Sequence, residues 1–478
     1  MKDLAELAKL DAIAQAELCA SGELSAAELW SACMERIAIL NPLLRAVVTP
    51  ASGPSTARHA GPLFGVPFLM KDSSPWPGLR WSLGARLFGA RVTQQQTEYG
   101  RRLEEAGLVC AGKTALSEFG LLPSTETLLE GATLNPWNLA RSPLGSSGGS
   151  AVAVAAGLVP LAHANDGGGS IRAPASACGL FGFKPSRGRT VVANRSGSEF
   201  VNMTSEHCLS RSVRDSALFL SITEDRSLSR PVGFVREPST RRLRIGTWTT
   251  SMIGKEPEPA VLRAHERTIS LLRALGHQVE PIAAPRYEMP ALADAYYLIA
   301  GAAVANVVDT IDRTRGEPVQ SGELEPFTWA LVDALADCLR DPVVDSLALF
   351  ARAVGIYTEA TRPFDLVLTP TVGVESVPLG YLSPILARET LHERAMVVLG
   401  HTAIHNIAGC PAMSVPLHWS DAGLPMGAQF AAAPGEEALL LALAYELEQA
   451  EPWQQRWPSY SIPSLAASHS ATIGAPSP

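Results

Sequence analysis

The sequence predicts an α/β fold, and three observations carry that expectation. Between about residues 61 and 225, strand-like and helix-like segments alternate, punctuated by many glycines, which suits a layered α/β sheet. Further on, RRLRIGTWT (241–249) reads as a strand, EPAVLRAHERTISLLRALG as an amphipathic helix ending at Gly276, and HQVEPI as the next strand. The chain has 478 residues, 46% of them hydrophobic, enough to bury one large core or two ordinary ones.

The elements follow in order. Residues 3–40 carry helical periodicity through Leu4, Leu7, Leu10, Ile13, Leu18, Leu29 and Met34. SGELSAAEL offers Ser25 as an N-cap with Glu28 three residues on, a capping box. RAVVTP reads as a strand, and residues 52–60 as a polar connection. Residues 287–360 read as helices rich in Ala and Leu. FDLVLTPT and MSVPL read as strands, and EEALLLALAYELEQAEPW as a late helix. The low-complexity end, residues 461–478 with SLAASHSATIGAPSP, is expected to be a disordered tail.

Composition narrows the function. Net charge is -8 and only 18% of residues are charged, with no Lys/Arg run, which argues against nucleic acid. The N-terminus lacks the basic and apolar regions of a signal peptide, and the apolar stretches read as broken short of a membrane span. Seven scattered cysteines, odd in number and without a CxxC pair, predict reduced thiols, a cytoplasmic location and no structural zinc. No metal or cofactor is expected, and a homodimer is left open.

Three motifs compete to name the chemistry. GLVCAGKT, Gly107 to Thr114, fits the phosphate-cradling loop, but Leu, Val, Cys and Ala inside it read better as a buried strand with a tight turn at Gly112. GSSGG, Gly145 to Gly149, fits a nucleophile elbow with Ser147 attacking and His401, His405 or His418 as base. Nothing singles out one histidine, and the best oxyanion nest, DGGGS, follows the elbow instead of preceding it.

The third reading joins both serine clusters to a lysine. Lys71 ends the apolar run Val66 to Met70, so it is expected to be buried. Burial disfavours an ammonium, and a neutral amine can serve as a general base. Gly167, Gly168 and Gly169 let successive N–H groups converge on one oxyanion, with Ser170 at the end of that nest to attack.

On these residues the sequence resembles the amidase signature family. The likeness runs through GPLFGVPFLMKDS (61–73), AGKTALSEF (111–119), STETLLEGATLNPWN (124–138), GSSGGS (145–150), NDGGGSIRAPASACGLFGFKPSRGR (165–189), LSRSVRDSALFL (209–220), LTPT (368–371) and IAGCPAMSVPL (407–417). It implies a single domain with a large mixed β-sheet sandwiched between α-helices. In that frame residues 1–60 are a helical segment packed on the core and 61–460 the amidase domain, with a variable substrate region at about 285–350.

By resemblance, Lys71 is the base, Ser146 a bridging serine in a cis peptide, and Ser170 the nucleophile. The oxyanion sits on the N–H groups of Gly167, Gly168, Gly169 and Ser170, with Asp166 and Arg172 as supports. The implied activity is hydrolysis of a small, fairly apolar amide through an acyl-serine, with acyl transfer to an amine or a non-catalytic binding role as alternatives. Asn165 departs from the family's usual Thr, and Ser150 from its small residue or Glu. AHAND and EPW look like the branch containing 6-aminohexanoate cyclic dimer hydrolases. Tyr287, Tyr296, Tyr297, Phe327 and Trp329 either line an acyl pocket or pack helix on helix; the sequence leaves both open.

Overall fold

The structure, a computed structural model, describes residues 2–54, 61–192 and 202–473. Its strands are β1 (Val47–Pro50), β2 (Pro67–Lys71), β3 (Val109–Thr114), β4 (Glu126–Thr127), β5 (Gly131–Ala132), β6 (Leu161–Asp166), β7 (Phe181–Lys184), β8 (Ser205–Ser210), β9 (Arg244–Thr247), β10 (Gln278–Pro281), β11 (Leu366–Pro370), β12 (Ala412–Trp419) and β13 (Pro425–Ala432). Eleven of them form one sheet in the order β1-β3-β2-β6-β8-β7-β12-β13-β11-β9-β10; β4 and β5 pair separately. The sheet is mixed: β2 runs parallel to β3 and β6, while β6, β8, β7, β12 and β13 pair antiparallel in turn.

Every residue of β2 and β3 is buried, as expected of central strands covered on both faces. The pleat divides their side chains. Leu69, Ala111 and Ala162 face Ile37, Leu40 and Val152 of the helices Ala26–Leu44 and Gly148–Ala155. Phe68, Met70 and Cys110 pack instead with Tyr99, Leu103 and Phe219 of the helices Glu98–Glu105 and Val213–Thr223. The Ser25 capping box forms as the sequence predicts, with Ser25 and Glu28 satisfying each other's backbone N–H groups.

A further helical layer gathers Ala291–Arg315, Pro326–Asp333, Pro342–Thr361 and Arg388–Leu399 around Leu292, Ile299, Phe350, Leu391 and Val398. Ala291–Arg315 corrects the expectation that apolar stretches fall short of a membrane span. Among the described residues it alone is long and apolar enough to cross a membrane, with mean hydropathy 1.5. Some 56% of that window is buried inside the protein, so its apolarity is that of a core helix.

Two other local readings change. β3 runs straight through Gly112 to Thr114 rather than turning there. A Cβ at Gly112 would lie 2.4 Å from the Thr49 carbonyl oxygen, so the glycine serves the close approach of β1. The end of the chain is helical from Ile462 to Ile473 where a disordered tail was expected, with Ile462 fully buried beside the first helix. Residues 474–478 lie outside the described residues.

Candidate active site

The site forms where β2 and β6 end and two glycine-rich turns meet. β2 is buried throughout and delivers Lys71 at its last position, with no exposure. Burial pushes the Lys71 ammonium down to about 7, against the attraction of Glu206 and Asp166. Its Nζ lies 2.8 Å from Ser146 Oγ and 2.6 Å from Asn165 Oδ1. A neutral amine in this position donates to the Asn165 carbonyl and accepts from the Ser146 hydroxyl. Asn165 is held in turn by donating from Nδ2 to Ser73 Oγ at 3.0 Å. The departure from the family's Thr is thus a structural tie on the lysine.

The first glycine cluster presents Ser146 to that lysine. The Gly145–Ser146 peptide is cis. A Cβ on Gly145 would fall 1.9 Å from the Ser124 carbonyl oxygen, which explains the glycine. Ser147 faces away, donating to the Asn165 carbonyl oxygen at 3.2 Å, and starts the helix Gly148–Ala155. Ser150, the other departure, is consumed by the His163 carbonyl oxygen and Thr114 Oγ1, each at 2.7 Å.

The second cluster is a nest of free donors. Its carbonyls are engaged elsewhere: Asn406 Nδ2 donates to the Asp166 oxygen at 2.7 Å, Thr402 Oγ1 to the Gly168 oxygen at 2.6 Å, and Ala173 N–H to the Gly169 oxygen at 2.8 Å. Among the described residues no acceptor meets the N–H groups of Gly167, Gly168, Gly169 or Ser170. Backbone N–H groups in folded interiors are normally paired, so four successive unpaired donors are an arrangement suited to an oxyanion. Gly169 has φ +143°, and a Cβ there would fall 2.4 Å from Thr402 Oγ1.

Asp166 and Arg172 pin this nest from beneath. Both are fully buried and paired at 2.9 Å. Asp166 Oδ2 also accepts from Ile171 N–H at 3.2 Å. Arg172 donates further to the Thr402 carbonyl oxygen, Gln429 and Asn406. Burial opposes the Asp166 charge, but the Arg172 guanidinium more than offsets this and holds the carboxyl well below its usual range. Thr402, Asn406 and Gln429 were not legible as site supports, because they arrive from elements more than 200 residues away.

Ser146, Asn165, Gly167 and Ser170 open onto one cavity of about 190 Å³. Its far wall is one face of the helix Ala291–Arg315: Tyr296, Ala300, Ala303, Val304 and Val307. Of the sequence-predicted pocket residues, Tyr296 is there, its hydroxyl against Gly168. Tyr297 and Trp329 are not, which corrects that expectation. One residue of helix turns the side chain by about 100°, so Tyr297 points instead between Phe327 and His392, at 5.8 and 4.9 Å. Trp329 donates from Nε1 to the Ser321 carbonyl oxygen at 3.1 Å, outside the cavity. Tyr287 and Phe327 belong to the helix packing as well.

The elbow and phosphate-loop readings fail here. His401, His405 and His418 are tied to Thr249, Arg172 and Thr268, and none lines the cavity. Lys113 is buried in an ion pair with Asp72 at 3.0 Å.

Comparison with known proteins gives the same picture. The Amidase family profile matches residues 28–441. The 6-aminohexanoate-cyclic-dimer hydrolase of Paenarthrobacter ureafaciens is 34% identical over 490 residues, covering 95% of this chain and 97% of its own. The solved structure of a 6-aminohexanoate cyclic dimer hydrolase with its substrate superposes with TM-score 0.87 at 32% identity, over 95% of this chain and 99% of that one. A bacterial aryl acylamidase of the amidase signature family superposes with TM-score 0.83 at 25% identity, over 98% and 99%. The chain therefore belongs to the amidase family, enzymes that hydrolyse amide C–N bonds.

Proposed function

We propose that this enzyme cleaves a small, fairly apolar amide through an acyl intermediate on Ser170. The observation that carries the reading is the 2.8 Å contact of buried Lys71 with Ser146, on a cavity shared with Gly167 and Ser170 of the glycine nest. Ser170 Oγ attacks the amide carbon while its proton passes to Ser146 and the Ser146 proton to Lys71 Nζ. The carbonyl oxygen, now negative, is received by the nest of Gly167 to Ser170. Collapse breaks the C–N bond. The relay returns its proton through Ser146 to the departing amine, and water, deprotonated along the same path, releases the acid and restores Ser170. Asp166 and Arg172 keep the nest rigid.

The substrate class follows from the walls. Leu83, Phe119, Leu121, Val304 and Val307 give an apolar lining, and about 190 Å³ suits a small acyl or aryl group. The variable region 285–350 contributes through the helix Ala291–Arg315. The seven cysteines are free, which suits a cytoplasmic enzyme.

A panel of amides from acetamide to aryl, fatty and lactam types tests this. Turnover should favour apolar amides over glutamine, and a serine-directed organophosphonate should label Ser170 once per chain. Ser170→Ala should lose turnover by many orders of magnitude, while Ser147→Ala stays mild. An adduct elsewhere, or an active Ser170→Ala protein, would overturn the assignment.

A further inference from the structure

Among the described residues, the cavity lining holds one carboxylate that the reaction does not use. Glu206 on β8 lies directly opposite Asn165 on β6, and both line the cavity. Residues opposite each other in an antiparallel pair project to the same side, so the carboxylate stands on the wall that carries the Lys71 tie. It is only 8% exposed. His163 Nε2 meets its Oε2 at 2.7 Å. Among the described residues no donor reaches Oε1.

The charges around it do not balance once the base is ready to act. Asp166 is paired with Arg172 and Asp72 with Lys113, each pair fully buried. His163 is pushed below its usual range by burial, so near neutral pH the ring donates one proton and brings no charge. Tyr99, edge-on to His163 at 5.3 Å, is kept in its neutral phenol form by burial. Tyr296, across the cavity, is held neutral in the same way. Among the described residues the cation that feels Glu206 is Lys71, and Lys71 must give up its charge to accept a proton. Among the described residues the reactive state therefore leaves one carboxylate uncompensated on the cavity wall, with an oxygen unpaired. Such a group is costly to bury without a partner.

We infer that Glu206 is a specificity-determining residue that receives an ammonium group of the substrate, so that the preferred amides carry a primary amine remote from the scissile bond. The inference rests on the amide-hydrolase reading above and names its substrate class. A substrate ammonium at Glu206 takes over the role that the Lys71 charge plays in the resting enzyme. It also stands as a like charge within reach of Lys71, which favours the neutral amine. Binding of the right substrate would thus help to set the base.

The test pairs 4-aminobutyranilide, 5-aminopentananilide and 6-aminohexananilide with butyranilide, pentananilide and hexananilide. At least one amino member should exceed its neutral partner about tenfold in kcat/KM, chiefly through KM, as a hydrogen bond to a charged group allows. Its kcat profile, which reports the bound enzyme, should keep its acid limb at lower pH than that of the neutral partner. Glu206→Gln should bring the amino-to-neutral ratio towards one. A wild-type enzyme indifferent to the amine overturns the proposal. So does a Glu206→Gln enzyme in which both members fall equally, since Glu206 would then act only through Lys71. Calorimetric binding of hexylammonium against hexanol to the wild-type protein decides the question without the variant: the ammonium should bind about tenfold tighter, and equal binding refutes the site. If neither the anilides nor any amide of the wider panel is hydrolysed, it is the hydrolase reading that fails, and the binding comparison still judges Glu206.

Discussion

The two walls of the cavity are built on opposite plans. On the sheet side, Ser146 and Asn165 line the cavity and Lys71, Asp166 and Arg172 stand behind them, each tied to polar partners within 2.6–2.9 Å at its shortest contact. On the helix side, Ala300, Ala303, Val304 and Val307 present only apolar surface, beside the single hydroxyl of Tyr296. The polar wall can tolerate almost no change, because a removed partner leaves a buried group unsatisfied. The apolar wall trades in volume, where a methylene more or less shifts the balance by modest amounts. On the proposed reading the sheet side carries the chemistry together with the charged contact at Glu206, and the helix side adjusts fit by volume.

The comparison is broken most severely at Lys71. Lys71→Ala should lower kcat/KM by about 10²–10⁴, the range of a positioned acid–base group. The wild-type profile sharpens the point. Burial lowers Lys71 to about 7, so the neutral, proton-accepting fraction grows as pH rises, and kcat/KM should climb through about 7 and level off above it. A histidine base would place the limb lower still, because burial holds His401 and His405 below their usual range and His418 at about 4. Loss of the limb in Lys71→Ala, measured from mildly acidic to alkaline pH, identifies the group.

Next comes the buried pair under the nest. Arg172→Met strands the Asp166 charge with no exposure to water, which should cost about 3–5 kcal/mol of stability, read as a lowered Tm. Adding Asp166→Asn removes the stranded charge and should restore part of that loss. Activity should not return with it, because the carboxylate that orders the Ile171 and Arg172 N–H groups is gone. Recovery of both together would mean that the pair only stabilises the fold.

The two walls were also unequally legible in the sequence. Lys71, Ser146, Ser170, Asp166 and Arg172 lie in short glycine-punctuated runs, where residue type and spacing already constrain the backbone. Thr402, Asn406 and Gln429 reach Arg172 from distant strands and helices, so no local pattern announces them. Glu206 becomes visible only through the β6–β8 register that sets it against Asn165. In the helical region the aromatic residues Tyr297 and Trp329 stand out in the sequence, while the helix Ala291–Arg315 lines the cavity mainly with a stripe of small side chains. That stripe was readable: Tyr296, Ala300, Ala303 and Val307 fall at intervals of four, three and four, one face of a helix.

The smallest expected effects lie on that stripe, and they test whether the apolar wall only adjusts fit. Val304 faces the cavity and is 3% exposed. Val304→Phe fills part of the roughly 190 Å³ available, so it should lower kcat/KM for large acyl groups and leave the smallest amides nearly unaffected. The discrimination gained should be on the order of 1–3 kcal/mol, the usual worth of a misfit in an apolar pocket. Tyr297→Phe is the control one helical face away. Among the described residues its buried hydroxyl has no partner, so removing it costs no hydrogen bond, and stability should hold or rise slightly while the ranking of substrates stays as it was. Kinetics across an acyl-length series, run on both variants, measure this directly. A Tyr297→Phe enzyme that re-ranks its substrates, or a Val304→Phe enzyme that slows all of them alike, would mean that the helix reaches the reacting groups themselves, and the division between a chemical wall and a selective wall would fall.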